Sequence, residues 1–441
     1  MRILQVNTFD SGDGASDVAR NLHTCYRAEG HEAWMAVGRK RGLEPHVYEI
    51  PNGSKSPWSR GVRALASRAA RRQPRTAQAL RHLADPQRYA NWLRGREDFD
   101  FPGTYRITTL APRPPEVIQC HNLHGGYFDL RALAPLSHRV PTVLTLHDAW
   151  LLSGHCAHSF DCDRWLRGCG QCPDLTIYPA IRRDATHANW LRKQSIYAGA
   201  RLFVATPSRW LMDKVERSVL AHAIADARVI PNGVDLSTFR PGDREEARAA
   251  LGLPRNAAIV LFAAHGIRKN RWKDYRTMQE AVVRVSDQLG GTQTLFLALG
   301  EDSPPVRIAD AEIRFVPFIS DAHSVVRYYR AADVYIHASL ADTFPTTVVE
   351  ALAVGLPVVG TAVGGIPEQI RTLDSHAEPT GVLVPPHEPE AMASSISSLL
   401  LDRELRGRLG ANAARDAFDR FDLSRQARNY LEWYQAMSIQ G

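Results

Sequence analysis

The sequence lacks any stretch near the ~18 uninterrupted apolar residues that a membrane-crossing helix needs. Its opening, MRILQV, provides no signal-peptide hydrophobic core. Both absences predict a chain that stays in the cytoplasm. Cysteine is scarce, six in 441 residues, too few for a disulfide framework in a reducing compartment. There is no G-x-S-x-G elbow, which argues against a Ser/His hydrolase, and no internal repeat or low-complexity tract. With 44% hydrophobic and 23% charged residues, whole-chain disorder is excluded. The length exceeds one ordinary core and predicts two domains of roughly 200 residues each. A net charge of +7 implies an acidic partner: nucleic acid, an anionic membrane face or a phosphorylated small molecule.

The apolar run 3–6, the loop holding Gly12 and Gly14, and the helical spacing of Val18, Leu22 and Tyr26 before Gly30 read as strand, glycine loop, helix. Strand-like runs follow at 116–120, 142–146 and 201–205, the pattern of a doubly wound parallel sheet. The VIPNGVD stretch at 229–235 has the proline and Asn-Gly punctuation of a domain boundary. Further runs at 257–264, 294–299, 313–316, 334–337 and 357–361 predict a second doubly wound sheet. The expected organisation is a first domain over 1–228, a second over 229–420 and a closing amphipathic helix over 421–441, carrying Tyr430, Leu431, Trp433 and Tyr434.

Residues 55–96 hold Lys55 and ten arginines (Arg60, Arg63, Arg68, Arg71, Arg72, Arg75, Arg81, Arg88, Arg94 and Arg96) against one acid, Asp85. Trp58, Leu65, Leu80 and Trp92 are interspersed. Such a basic amphipathic insertion suits a helix lying on anionic lipid. A solvated insertion without a partner has the same composition, and nucleic-acid binding lacks an accompanying recognition motif.

The richest stretch is SLADTFPTTVVEALAVGLPVVGTAVGGIPEQI at 339–370. Asp342 and Glu350 stand eight residues apart around the turn Phe344, Pro345, Thr346, Thr347, which opens a helix. The first N–H groups of that helix and its dipole favour a diphosphate. Glu350, one turn in, can accept hydrogen bonds from ribose hydroxyls, and Asp342 in the preceding loop can reach a sugar. Gly364 and Gly365 permit a tight turn or a close approach. After the first strand of the second domain, AAHGIRKNRWKDY (263–275) sets Arg268, Lys269, Arg271 and Lys273 at the end of a strand where open α/β sheets bind ligands. Fixed cations there stabilise charge growing on a departing diphosphate.

Cys156, Cys162, Cys169 and Cys172 lie within 17 residues, 156–172. Four thiolates suffice for a tetrahedral structural zinc, and Cys169-x-x-Cys172 has ligand spacing; reduced thiols or a disulfide formed on isolation are the other readings. Asp161-Cys162-Asp163 sits inside this loop and reads as surface acids, so no catalytic Mg²⁺ or Mn²⁺ is expected. His147 and Asp148 read either as base and orienter or as a structural strand-end bond.

The D-x7-E spacing with EALAVGLPVV and GGIPE, the RKNRWKDY loop, PNGVD and the late LVPP resemble the retaining glycosyltransferases of family 4. QCHNLHG (119–125) and TLHDAW (145–150) resemble the branch that builds bacterial exopolysaccharides, including colanic-acid-type enzymes. The resemblance spans nearly the whole chain. It implies a GT-B fold, two Rossmann-like domains facing across a cleft with the C-terminal helix packing back. It also implies transfer of a hexosyl group from a nucleoside diphosphate sugar to a lipid-linked or saccharide acceptor on the inner face of the cell membrane. No cofactor takes part in such chemistry and no nucleic acid is expected.

By matched positions, Glu350 would hold the ribose, Asp342 the donor sugar, and Arg268 and Lys273 the diphosphate. His121 would contact the transferred sugar, and Gly12 and Gly14 would form the loop approaching the diphosphate. The leaving diphosphate itself would take the acceptor proton, so no protein nucleophile is needed. Asp342 stands where the family usually has Glu, and Gln119 where many relatives have His. A catalytically silent sugar-nucleotide-binding partner, a sugar-nucleotide epimerase and a glycogen-type transferase are the competing readings on this fold.

Overall fold

Ile3, Leu4 and Val6 are fully buried, as a strand covered on both faces requires, and lie in β1 (Arg2–Phe9). The chain then turns at Gly12, whose φ of +94° a side chain rarely tolerates. The Asp13 carboxylate accepts the Ser16 backbone N–H and caps α1 (Gly14–Ala28). This computed structural model describes residues 1–52, 57–70, 73–308 and 310–439. After α1 come β2 (Glu32–Arg39), β3 (Val47–Glu49), the helices α2 (Pro57–Ala69), α3 (Pro74–Ala84) and α4 (Pro86–Leu93), then β4 (Val117–Cys120), α5 (Leu133–Ser137), β5 (Thr142–Thr145), α6 (Thr186–Tyr197), β6 (Leu202–Thr206), α7 (Arg209–Glu216) and β7 (Ile224–Val229). The seven strands pair in parallel in the order β3-β2-β1-β4-β5-β6-β7. Strand order reverses between β1 and β4, where Val6 lies opposite Cys120, so the loops after these two strands border one crevice.

The second series runs α8 (Arg244–Ala250), β8 (Ala258–Ala263), α9 (Tyr275–Leu289), β9 (Thr294–Leu299), β10 (Val306–Ile308), β11 (Ala311–Val316), α10 (Ala322–Ala331), β12 (Val334–His337), α11 (Thr346–Ala353), β13 (Val358–Thr361), α12 (Ile366–Gln369), β14 (Gly381–Val384), α13 (Pro389–Leu401), α14 (Arg403–Arg420) and α15 (Leu423–Ile439). Its sheet is ordered β10-β11-β9-β8-β12-β13-β14 and is parallel apart from the β10–β11 edge. The reversal falls between β8 and β12. Two apolar clusters fill this unit, one around Leu261, Leu297, Tyr335 and Val348 and the other around Phe262, Phe296, Ile336 and Met392.

The chain divides into two compact units: 1–206 with 211–229 and 431–441, and 207–210 with 230–430. Both α7 and α15 therefore contribute residues to each. In the first unit the late part of α15 is tied down by a Trp433 indole bond to Asp226 (2.7 Å) and by Tyr434 set edge-on against Tyr26. Among the described residues no helix is long and apolar enough to cross a membrane.

The arginine-rich insertion forms α2, α3 and α4. Val62, Ala66 and Ala77 are buried between its helices, while Trp58 (66% exposed), Leu65 and Leu83 face outward; Leu80 is half-buried. Lys55, Arg71 and Arg72, together with the side chains of Arg60, Arg63, Arg75 and Arg81, lie outside the described residues.

Candidate active site

The switch point of the second sheet brings together the loop after β8 and the loop after β12. Lys273 pairs across an isolated antiparallel bridge with Ser339. From there its ammonium donates to Asp342 Oδ2 (2.6 Å) and Ser339 Oγ (3.1 Å) and lies 3.2 Å from His337 Nε2. His337 also reaches Asp342 Oδ2 at 3.2 Å. Burial works against charge on Asp342, yet Lys273 and His337 hold its carboxyl well below the usual carboxylate range. Burial and the Lys273 charge press His337 down to about 4, so at neutral pH its ring is uncharged.

Glu350 is fixed by the Tyr329 hydroxyl, which donates to Oε2 at 2.7 Å. Tyr329 stacks on Tyr335 (5.6 Å, 26°), and Tyr335 on His337 (6.2 Å, 27°). A ladder of three rings thus supports Glu350 at one end and Asp342 at the other. Between the two carboxylates lies the start of α11. Its N-cap is Pro345, and no side chain caps it, so its first N–H groups and its dipole remain available to an anion. Gln369 donates to the Pro345 carbonyl at 3.0 Å and steadies this turn. Gly364 (φ +59°) lies so close to the Asp342 loop that a Cβ there would overlap the Asp342 carbonyl, and Gly365 donates its N–H to that same oxygen.

At the switch point of the first sheet the chemistry is different. The His121 Nδ1 and His147 Nε2 atoms are 2.9 Å apart in a stacked pair. Gln5 approaches His121 Nε2 at 3.3 Å. Burial presses His147 down to about 4 against the pull of Asp148 and Asp13, and burial aided by His147 lowers His121 well below its ordinary value. His124 Nε2 meets Asp148 Oδ2 at 2.7 Å.

A model of "Glycosyltransferase Family 4" matches residues 12–238, and one of "Glycosyl transferases group 1" matches residues 243–416. The chain belongs to glycosyltransferase family 4. It is 26% identical over 373 residues, 82% of this chain and 83% of the relative, to the protein WcaC of Escherichia coli (strain K12), which carries the name of a colanic acid biosynthesis glycosyl transferase. Among solved structures it resembles sucrose-phosphate synthase (tll1590) from Thermosynechococcus elongatus, at TM-score 0.62 and 18% identity over all of both chains. It also resembles Anabaena Alr3699/HepE, solved in complex with UDP-glucose, at TM-score 0.59 and 16% identity over 98% of this chain and 99% of that one. These likenesses show the GT-B fold.

In this family 4 enzyme, Lys273, Asp342, Glu350 and the Pro345-Thr346-Thr347 turn converge as one group. Arg268 stands apart from the Lys273–Asp342 pair in its bonding: its backbone N–H and Nε donate to Glu301 (2.7 and 2.5 Å) and its guanidinium lies over Phe315. The Phe344 ring is 6% exposed and packs edge-on against Phe421 in the core, so what this turn residue offers a ligand is backbone. His121 is 2% exposed and directs its ring at His147, itself partly exposed. The expected His147–Asp148 pairing is replaced by His121–His147 and His124–Asp148. Gly12 supplies the positive φ, whereas Gly14 is simply the first residue of α1.

The four loop cysteines are free thiols. Cys169 Sγ accepts the Gly154 N–H (3.3 Å), while Cys172 Sγ lies 3.4 Å from His155 and 3.5 Å from the Asp174 carbonyl. Burial pushes Cys169 up to about 12 and raises Cys156 and Cys172. Among the described residues no group of three or more His, Cys, Asp or Glu side chains is placed to hold a metal ion. Three residues of the site had no signal in the sequence: Glu301, Tyr329 and Ser339. A signal for Tyr335 and His337 lay in their i, i+2 spacing on a strand that ends at the site.

Proposed function

We propose that this glycosyltransferase moves a hexosyl group, with retention of configuration, from a nucleoside diphosphate sugar to a lipid-linked or saccharide acceptor in bacterial surface polysaccharide synthesis. The observation that carries this reading is the Lys273–Asp342 pair and Glu350 set on one ring ladder around the uncapped start of α11. Glu350 accepts the ribose hydroxyls. The α11 N–H groups and Lys273 receive the diphosphate, and Lys273 stabilises the charge that grows as the sugar–oxygen bond breaks. Asp342 accepts hydroxyls of the donor sugar, and its carboxylate is kept ionised for that work. Arg268, braced by Glu301, adds positive charge at the rim. The acceptor oxygen bonds to the anomeric carbon on the face the diphosphate leaves, and the acceptor proton passes to a diphosphate oxygen. Lys273 and the helix start supply the positive charge in this scheme, so turnover persists in EDTA.

The UDP-glucose complex of the Anabaena relative supports the donor class, and the name of the Escherichia coli relative supports the polysaccharide setting. We place the enzyme on the inner face of the cell membrane through α2 and α3, which expose Trp58, Leu65 and Leu83 within a stretch whose sequence is rich in arginine. Changing Trp58 and Leu65 to Ser should weaken binding to anionic vesicles about tenfold; unchanged binding refutes the membrane role.

The test of the function is a thermal-shift panel with UDP, GDP and ADP followed by a donor-hydrolysis panel. One nucleotide should raise Tm by mass action, and its sugar conjugates should turn over. A shift without turnover would favour the silent partner, and no shift at all would refute the reading.

A further inference from the structure

The second unit holds a cavity of about 550 Å³ that the donor scheme does not use. It opens at the amino ends of two strands, where Asp333 precedes β12 and Pro357 precedes β13. Asp342 follows the carboxyl end of β12, so this cavity and the donor site lie at opposite edges of one sheet.

The charges of the lining do not balance. It has four arginines, Arg244, Arg330, Arg403 and Arg406, against one acid, Asp333. That acid is fully engaged. Its Oδ1 accepts the Arg244 Nη1 at 2.6 Å, and its Oδ2 accepts the Arg248 Nη2 at 2.7 Å and the Ile259 backbone N–H at 2.9 Å. Arg406 comes no nearer to this carboxylate than 4.0 Å and gives its Nη1 to the Leu399 and Leu400 carbonyls, each at 2.8 Å. Burial lowers Arg406 from its ordinary value, and against the pull of Asp333 the charges of Arg244, Arg403 and Arg248 press it the same way. Positive charge here exceeds its local counterion.

Three of these guanidiniums are set in place by the protein itself. Asp333 pins Arg244, and two carbonyls pin Arg406. Arg330 donates its Nε to the Arg240 carbonyl at 3.0 Å and its Nη2 to the Thr238 carbonyl at 3.2 Å. A Cβ on Gly242 would stand 2.6 Å from the Arg330 Cδ and Nε, so the glycine clears the path of that side chain. The rest of the wall is small and apolar, with Leu356, Pro357, Ala411 and Ala414. Guanidinium forks held around one cavity match the oxygens of a phosphate. The volume falls within the roughly 300–1,000 Å³ of small-molecule pockets, which leaves room for an organic part.

We propose that this cavity is a second ligand site, separate from the donor site, which takes a small molecule bearing a phosphate or diphosphate group, its oxygens bonded by Arg244, Arg330 and Arg406. The group belongs either to an inorganic ion or to an organic phosphate ester.

The test titrates the full-length protein by calorimetry with inorganic diphosphate, with α-D-glucose 1-phosphate and with a short DNA duplex, the donor site first being saturated with whichever of UDP, GDP and ADP raises Tm. The wild type should bind diphosphate or the sugar phosphate, and the tighter of the two tells an inorganic ion from an ester. Arg244→Gln/Arg330→Gln should lose at least about tenfold in that affinity and keep the nucleotide-dependent rise in Tm. Gly407→Leu blocks the cavity with every charge left in place: Gly407 lines it on α14, and a Cβ there meets nothing. Replacing a glycine inside a helix also favours the fold, so Gly407→Leu carries the comparison if the arginine variant melts lower, with a similar loss of affinity expected. Binding of neither small probe, or binding of the duplex alone, overturns the proposal, as does undiminished affinity in the arginine variant or, where that variant melts lower, in Gly407→Leu. A wild type stabilised by none of the three nucleotides would refute the donor reading instead and is titrated without them, so the two readings fail separately.

Discussion

The two sheets are wound alike, and the crevices at their reversals carry opposite chemistry. At β8/β12 a cation and two carboxylates gather on a stack of rings, and Asp342 is held in its charged form. At β1/β4 a buried histidine is stacked on a partly exposed one, and both are neutral. The topology thus decides where a ligand sits, and the residues at the strand ends decide what it is. A fixed charge pair suits a diphosphate whose charge grows during the reaction. A neutral polar cluster suits hydroxyl groups.

The sharpest way to break the contrast is to discharge the second crevice. Lys273→Met keeps the stem and removes the ammonium, leaving Asp342 with His337 alone. Turnover should fall on the order of 10²–10³-fold, read as kcat for donor consumption; a loss below tenfold would mean the pair is structural. Gly364→Ala attacks the same carboxylate through its backbone. The added methyl must push the Asp342 loop away, which should cost roughly 2–3 kcal/mol of stability and about 10²-fold in rate through misplacement. Normal Tm and rate would show that the loop yields freely.

Acid should separate the units. A histidine whose folded pKa is lowered leaves the unfolded chain binding more protons, so stability falls as pH drops from about 6.5 toward the folded value and is flat above that window. The first unit holds His23 and His147, each near 4, and His121, well below its ordinary value, while His31 and His155 move the same way. The second unit holds His337, near 4. Asp342 has the opposite linkage: its depressed value adds stability that is fully present above about 3.8 and lost only below, so it is silent in this window. Hydrogen exchange at pH 5 against pH 7.5 should therefore show larger losses of protection in peptides from 1–206 than from 230–430, and equal losses would contradict the assignment. The smallest effect expected is for Glu301→Gln, which loosens the half-exposed Arg268. Donor KM should rise about threefold with kcat little changed; a large fall in kcat would move Arg268 into the reacting centre.

Much of this was legible before any coordinates. Continuous apolar runs such as 294–299 announce strands buried on both faces, and the spacing of Asp342, the Pro-Thr-Thr turn and Glu350 announces a strand-end loop feeding a helix. β2 begins directly after the turn at Gly30. β7 offers no continuous apolar run to read, because its residues are partly buried or exposed, as an edge strand allows. Lys273 and Ser339 are 66 residues apart, and only the pairing of β8 with β12 makes them neighbours, so the sequence could name the lysine but not its cage. Cysteine spacing likewise cannot report whether four thiols converge.

The central claim is tested most directly by calorimetric titration of the wild type and of Glu350→Ala with whichever of UDP, GDP and ADP stabilises the wild type most. Loss of two charge-assisted hydrogen bonds to the ribose predicts about a hundredfold weaker binding at unchanged fold. An affinity within about twofold of the wild type would mean that the nucleotide is held elsewhere.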